Sequence, residues 1–173
     1  MADTMQRRDW WKLALVCVVV MELLGGLSGW LSQSGYGNPW FDALAKPSFM
    51  PPGFVFGIVW PVLYALLGIA LALIIAEPPS DRRRLGLILF ALQMVLNFAW
   101  SPIFFAGHDI RLAKIVIFVM AVLAAAAAGQ FFRLRAIAGW LMVPYLGWLV
   151  FAATLTATIE RLNPGAGASL LGF

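Results

Sequence analysis

Five long apolar runs, separated by short polar connections, constrain this chain more than any other feature. They lie at about residues 12–32, 54–76, 85–105, 112–130 and 136–159. About 20 consecutive apolar residues are enough for a helix to cross the hydrocarbon core of a bilayer. The connections are too short to hold a further domain. We therefore expect residues 1–173 to form one all-α membrane domain, a bundle of five transmembrane helices.

The composition excludes the other broad classes. The chain is 62% hydrophobic and 12% charged, with a mean hydropathy of +0.89, whereas a soluble domain has about 25% charged residues. Open sheets cannot satisfy their edges in lipid, and the runs are too continuously apolar for the alternating strands of an outer-membrane barrel.

The net charge of +4 and the pI near 9.7 do not indicate nucleic acid, because the bases cluster at the ends of the apolar runs. Eight of the twelve Lys and Arg residues fall on the side of the N-terminus and four on the other side. The positive-inside rule then predicts a cytoplasmic N-terminus and a first loop outside.

A proline-rich segment, Lys46–Gly53, precedes the second run. Each proline fixes its own φ and disfavours a helical conformation in the residue before it. We expect an ordered, extended lid at this position. Trp60 and Tyr64 follow in the second run, four residues apart and hence on one helix face beneath the lid.

The third run has the most informative polar residues. Gln93, Asn97 and Trp100 are spaced by four and three, so they share one stripe of a helix. An unpaired amide in an apolar environment costs about 1–3 kcal/mol, so the stripe should face the bundle interior. Two interpretations stay open: these side chains contact a ligand, or they form hydrogen bonds between helices only.

Aromatic residues recur on one face of the fifth run as well, where Tyr145, Trp148 and Ala152 fall at i, i+3 and i+7. Trp and Tyr at interior positions, accompanied by one or two amides, suit a flat and largely apolar aromatic ligand with a few polar groups. Several of the eight Trp residues, Trp30 among them, are better explained as interfacial anchors.

Glu22 is the only acidic residue well inside an apolar run. An intramembrane carboxyl is a candidate functional group, for example for proton coupling. The alternative is a protonated or wetted side chain that only forms hydrogen bonds. Gly25 and Gly29, just beyond it, form a GxxxG motif that permits close helix approach.

Features typical of catalysis are missing from the pattern. The single His108 is in a loop, no cluster of His, Cys and carboxylates is arranged to hold a metal, and Ser101 has no plausible base partner. We expect no catalytic residues, no metal site and no required cofactor. The tail from Asn163, rich in Gly and small residues, is expected to fray.

Several of these motifs together resemble the TspO/MBR family, the tryptophan-rich sensory proteins related to the translocator protein (peripheral benzodiazepine receptor). The resemblance covers about Gly25 to Arg161. It is carried by Trp40-Phe41 with Leu44-x-Lys46-Pro47, by Pro51-Pro52, by Val59-Trp60 with Leu63-Tyr64, by Gln93-x-x-x-Asn97-x-x-Trp100-x-Pro102-x-Phe104-Phe105, and by Pro144-Tyr145-Leu146-x-Trp148.

The resemblance implies a five-helix bundle, usually a homodimer, with a ligand cavity under the first loop. It implies porphyrins such as protoporphyrin IX as ligands, and also sterol-like and benzodiazepine-type compounds. Lys46, the only base on the proline-rich segment, is then expected to supply a cation for porphyrin propionates. The predicted ligand-binding residues are Trp40, Lys46, Trp60, Tyr64, Asn97, Trp100, Tyr145, Trp148 and Ala152.

Two departures from the family pattern stand out. Phe49 and Phe54 occupy positions where many members have Trp. In the sterol-recognition segment Ala157 replaces the expected Tyr, although Leu155 and Arg161 match its flanks; this argues against sterol binding at that segment.

We therefore predict a membrane protein that binds tetrapyrroles as a sensor, scavenger or carrier in tetrapyrrole regulation and stress responses. The alternatives are an enzyme that degrades porphyrin in light and a proton-coupled exporter that uses Glu22.

Overall fold

The computed structural model describes residues 10–167, and within them the predicted all-α bundle with five membrane-spanning helices is confirmed. The long helices are α1 (Trp10–Leu31), α3 (Gly53–Ile75), α4 (Asp81–Ser101), α5 (Ile110–Leu134) and α6 (Ala136–Leu162). A short helix, α2 (Pro39–Ala43), lies in the connection between α1 and α3, and together with the proline-rich segment it forms the lid, residues 36–52. A π-helical turn, Pro102–Ala106, extends α4. Arg7 and Arg8, used in the charge count, lie outside the described residues, as do residues 168–173 of the tail.

The start of α4 departs from the predicted bounds by four residues, because the helix begins at Asp81 and so includes the basic residues that precede the predicted run. Ser80 caps this helix, because its hydroxyl oxygen accepts a 3.2 Å hydrogen bond from the Arg83 N–H. A side-chain acceptor at this position satisfies one of the N–H groups that have no partner in the first turn. The connection between α3 and α4 is therefore only a few residues long.

The helices form a closed arrangement in the order α1, α3, α6, α5 and α4. Each helix in this order packs extensively against the next. Helix α4 closes the arrangement with only sparse contacts to α1 and α3. Gly68 makes the α1–α3 packing possible, since a Cβ there would lie 2.7 Å from the backbone N and Cα of Val18. Buried Ala72, four residues further along α3, continues this small-residue face.

The lid is tied to the ends of two helices. The backbone N–H of Ala45 donates to Asn163 Oδ1 at 2.8 Å, and Asn163 Nδ2 donates to the Ala45 carbonyl at 2.9 Å. The indole N–H of Trp40 donates to the Ala166 carbonyl, and the amide of Asn38 donates to the Phe105 carbonyl. The expectation of a frayed tail is therefore wrong for residues 163–166, because their polar groups hold the lid over the bundle.

Candidate functional site

A cavity of about 510 Å³ lies inside the bundle beneath the lid. All five long helices contribute to its lining, and Tyr36, Phe41 and Met50 close it on the lid side. Its volume is within the range of roughly 300–1,000 Å³ that small-molecule sites occupy. The helix residues that line it include Glu22, Gly25, Gly26, Ser28, Phe56, Trp60, Tyr64, Asn97, Trp100, Trp148 and Ala152.

The chain direction defines the deep end of the cavity. Helices α1, α4 and α6 end at the lid, whereas α3 begins there. The lining residue farthest from the lid is Glu22 on α1, Tyr64 on α3, Asn97 on α4 and Trp148 on α6. We call Glu22, Tyr64 and Asn97 the floor of the cavity, since they bring its polar groups to one end.

Aromatic rings form one wall above the floor. Trp60 stacks on Tyr64 with ring centroids 5.3 Å apart, as their four-residue spacing predicts. Trp60 also meets Trp148 edge to face at 6.4 Å, and Phe56 meets Trp148 in the same way at 5.7 Å. Such pairs contribute about 0.5–1.5 kcal/mol beyond the burial of their area. The wall is thus a preformed apolar surface shared by α3 and α6.

Trp100 forms part of the opposite wall. Its ring stacks on Phe104 at 5.0 Å, and its indole N–H donates to the Ala113 carbonyl of α5 at 3.1 Å. Because the N–H is already bonded, Trp100 offers the cavity a ring face rather than a hydrogen-bond donor.

A chain of hydrogen bonds fixes the floor to the helices behind it. The Tyr64 hydroxyl donates to Asn97 Oδ1 at 2.8 Å, and Asn97 Nδ2 donates to the Tyr145 hydroxyl at 3.0 Å. The Tyr145 hydroxyl in turn donates to Gln93 Oε1 at 2.7 Å. The chain thereby joins α3, α4 and α6. The stripe of Gln93, Asn97 and Trp100 does face the interior. Asn97 forms hydrogen bonds between helices and also lines the cavity, so its contact with a ligand stays a prediction.

Six of the nine predicted ligand-binding residues line the cavity: Trp60, Tyr64, Asn97, Trp100, Trp148 and Ala152. Tyr145 does not, because it is fully buried behind Asn97. Trp40 lies in the lid, where it stacks on His108 with centroids 4.5 Å apart.

Lys46 also lies outside the cavity lining. Its ammonium donates to the carbonyls of Phe41, Asp42 and Leu44 at 2.8–3.2 Å and lies 4.7 Å from the centre of the Phe41 ring. These contacts satisfy the carbonyl end of α2, so in this structure the Lys46 ammonium orders the lid.

Two features of the site escaped the sequence analysis. A Cβ at Gly25 would lie 2.1 Å from a ring carbon of Tyr64, so this glycine makes room for the tyrosine. Pro102 has no N–H to donate to the carbonyl of Phe98, and the hydroxyl of Ser28 on α1 donates to that carbonyl instead, at 2.6 Å. The GxxxG motif and Pro102 are visible in the sequence, but neither predicts which side chain contacts it in the folded protein.

The sequence comparisons agree with this architecture. The family model described as the TspO/MBR family matches residues 15–162. The translocator protein of Sus scrofa is 35% identical over 152 residues, covering 85% of this chain and 90% of the relative. The tryptophan-rich sensory protein of Cereibacter sphaeroides is 37% identical over 126 residues, or 73% of this chain and 78% of the relative. Protein CrtK of Rhodobacter capsulatus is 33% identical over 127 residues, 73% and 79% of the two chains. The chain therefore belongs to the TspO/MBR family and is an integral, multi-pass membrane protein.

Proposed function

We propose that this protein binds protoporphyrin IX or a related tetrapyrrole in the cavity beneath the lid, and that it acts as a sensor, scavenger or carrier of that ligand. The observation that carries the proposal is the combination of a preformed wall of Trp60, Trp148 and Phe56 with a polar floor. Flat apolar ligands gain most from stacking on rigid aromatic rings. Sterol-like and benzodiazepine-type compounds are further candidates on the same grounds.

The names of the relatives support a role in ligand binding but do not distinguish a sensor from a carrier. One relative is called a sensory protein and another a translocator protein. Sensing requires that ligand binding change the protein, whereas carriage requires that the ligand leave on the other side. We place the N-terminus in the cytoplasm and the lid outside, and we propose a homodimer as the assembly.

Two rival functions use particular residues of this site. Light-dependent porphyrin degradation would use Trp60, Trp100 or Trp148 as a redox partner of the excited ligand. Proton-coupled export would use Glu22, whose carboxyl lines the cavity. Product analysis after illumination tests the first rival, and flux into vesicles with and without a pH gradient tests the second.

A fluorescence titration of the purified protein with protoporphyrin IX tests the proposal itself. Three of the aromatic lining residues are tryptophans, so a ligand in the cavity should quench part of the intrinsic emission in a saturable way. Trp30 is 75% exposed and lies on the outer surface of α1, so Trp30→Phe serves as the control. We expect Trp60→Phe to reduce the quenched amplitude and Trp30→Phe to leave it unchanged. Quenching that rises linearly with ligand, as partitioning into detergent does, would contradict the proposal.

A further inference from the structure

Glu22 brings a carboxyl group to the deep end of the cavity, near the middle of α1. Among the described residues 10–167, no hydrogen bond or ion pair engages this side chain. A carboxyl at membrane depth is costly to maintain and usually pairs with a cation or a hydrogen-bond donor. Within residues 10–167, those that line the cavity supply no such partner to Glu22.

The hydroxyl groups around the floor already donate their protons to other residues. Tyr64 donates its hydroxyl proton to Asn97 Oδ1, and Asn97 uses its Nδ2 to donate to Tyr145. Ser28, which also lines the cavity and is nearer the lid, donates its proton to the Phe98 carbonyl. A hydroxyl has one proton and two lone pairs. What Tyr64 and Ser28 can still offer a ligand is therefore an acceptor oxygen.

The described part of the chain brings no positive charge to the cavity surface. Among residues 10–167, none of those that line the cavity is Lys, Arg or His. The nearest base along the lid, Lys46, directs its ammonium to three backbone carbonyls of α2. As far as residues 10–167 form it, the deep end is consequently dominated by acceptor oxygens, with one carboxyl that has no recorded partner and no cation to compensate its charge.

We infer that the floor of the cavity is a subsite for a basic or hydrogen-bond-donating group of the ligand, and that Glu22 is the residue that determines this specificity. The acceptors Glu22 and Tyr64 would hold such a group while the aromatic wall holds the ring system. An acidic group of a ligand would be repelled from the floor and would have to point toward the lid. This inference rests on the proposed function, because it concerns the orientation and class of ligand in the same cavity.

Three porphyrins with the same ring system test the inference: protoporphyrin IX, its dimethyl ester, and its bis(2-aminoethyl) amide. They carry negative, neutral and positive groups at the same edge of the ring. Dissociation constants are measured in a non-ionic detergent, so that the micelle does not select by charge. The parent protein is compared with Glu22→Gln, which keeps the shape and removes the charge. Asp81→Asn serves as the matched control, since it makes the same change of charge outside the cavity.

We expect the parent protein to bind the amine derivative at least tenfold more tightly than the dimethyl ester. Glu22→Gln should reduce this ratio to threefold or less by weakening the binding of the amine derivative, while Asp81→Asn should keep the ratio. Equal affinities of the parent protein for the amine and the ester would overturn the inference without the use of any variant. A preference that survives in Glu22→Gln would overturn the assignment to Glu22. Saturable binding of the ester with no charge preference would contradict the inference and leave the proposed function intact. The absence of saturable binding for all three porphyrins would contradict both the inference and the proposed function.

Discussion

Replacing Gly25 by Ala tests how tightly the floor of the cavity is built. The added Cβ would lie 2.1 Å from one ring carbon of Tyr64, 2.5 Å from the next and 2.8 Å from the hydroxyl oxygen. Carbon atoms in van der Waals contact are about 3.5–4.0 Å apart. The tyrosine ring must therefore move, and it cannot move without changing its stack on Trp60 or its hydrogen bond to Asn97.

The magnitude follows from three contributions. Overpacking of a well-packed core typically costs about 1–3 kcal/mol, and loss of the Tyr64–Asn97 hydrogen bond adds about 0.5–1.5 kcal/mol. The better helix propensity of Ala offsets about 0.5–1 kcal/mol of this. We expect Gly25→Ala to lower the free energy of unfolding by about 0.5–4 kcal/mol.

Gly26→Ala is the matched control. This neighbour is on the same helix and lines the same cavity, but a Cβ there would have no atom within 4 Å. It changes helix propensity in the same way without the clash. The gain in helix propensity cancels between the two variants, so thermal unfolding in detergent should place the Tm of Gly25→Ala about 3–18 °C below that of Gly26→Ala.

A second substitution identifies the cause. Tyr64→Ala removes the ring that Gly25→Ala would strike, so the double variant should be less destabilised than the sum of the two single variants. A coupling of about 1 kcal/mol or more is expected for residues in direct contact. Equal Tm values for Gly25→Ala and Gly26→Ala, or strict additivity with Tyr64→Ala, would refute the packing argument.

Three further predictions concern the lid and Glu22. Lys46→Glu should weaken the binding of protoporphyrin IX and of its dimethyl ester by the same factor, because the ammonium orders the lid; a larger loss for the free acid would instead indicate contact with its propionates. Asn163→Ala removes the reciprocal bonds to Ala45, so stopped-flow measurements should show faster association and faster dissociation of porphyrin, and unchanged rates would show that the lid is held elsewhere. Glu22→Gln should keep the affinity for protoporphyrin IX within a few-fold, and neither it nor the parent protein should show proton-driven flux in vesicles; flux in the parent that disappears in the variant would favour the exporter.

Much of the fold follows from the sequence because the bilayer imposes a strong condition on backbone hydrogen bonds. A run of apolar residues long enough to span can do so only as a helix or a barrel strand, which is why all five helices were predicted close to their observed positions. The interior direction of Asn97 and Trp100 followed from the same reasoning, since an unpaired amide in lipid is costly.

The partners of these residues could not be predicted, because they depend on contacts between segments far apart in the chain. Asn163 binds Ala45 across 118 residues, and Ser28 satisfies the Phe98 carbonyl across 70. Neither pairing leaves a periodic signal. Lys46 illustrates a second limit. Its charge is visible in the sequence, but the three carbonyl groups that accept its hydrogen bonds come together only when α2 forms.

The central claim is that the aromatic cavity is where the ligand binds, and one comparison of affinities tests it most directly. Trp148 contacts Phe56 and Trp60 at the cavity, whereas Trp140, two turns earlier on α6, is 65% exposed and meets Phe132 instead. Both variants, Trp148→Ala and Trp140→Ala, remove one indole from the same helix. We expect Trp148→Ala to raise the dissociation constant of protoporphyrin IX by about tenfold or more, a change of about 1.4 kcal/mol, and Trp140→Ala to leave it within twofold. An unchanged dissociation constant in a folded Trp148→Ala variant would contradict the account.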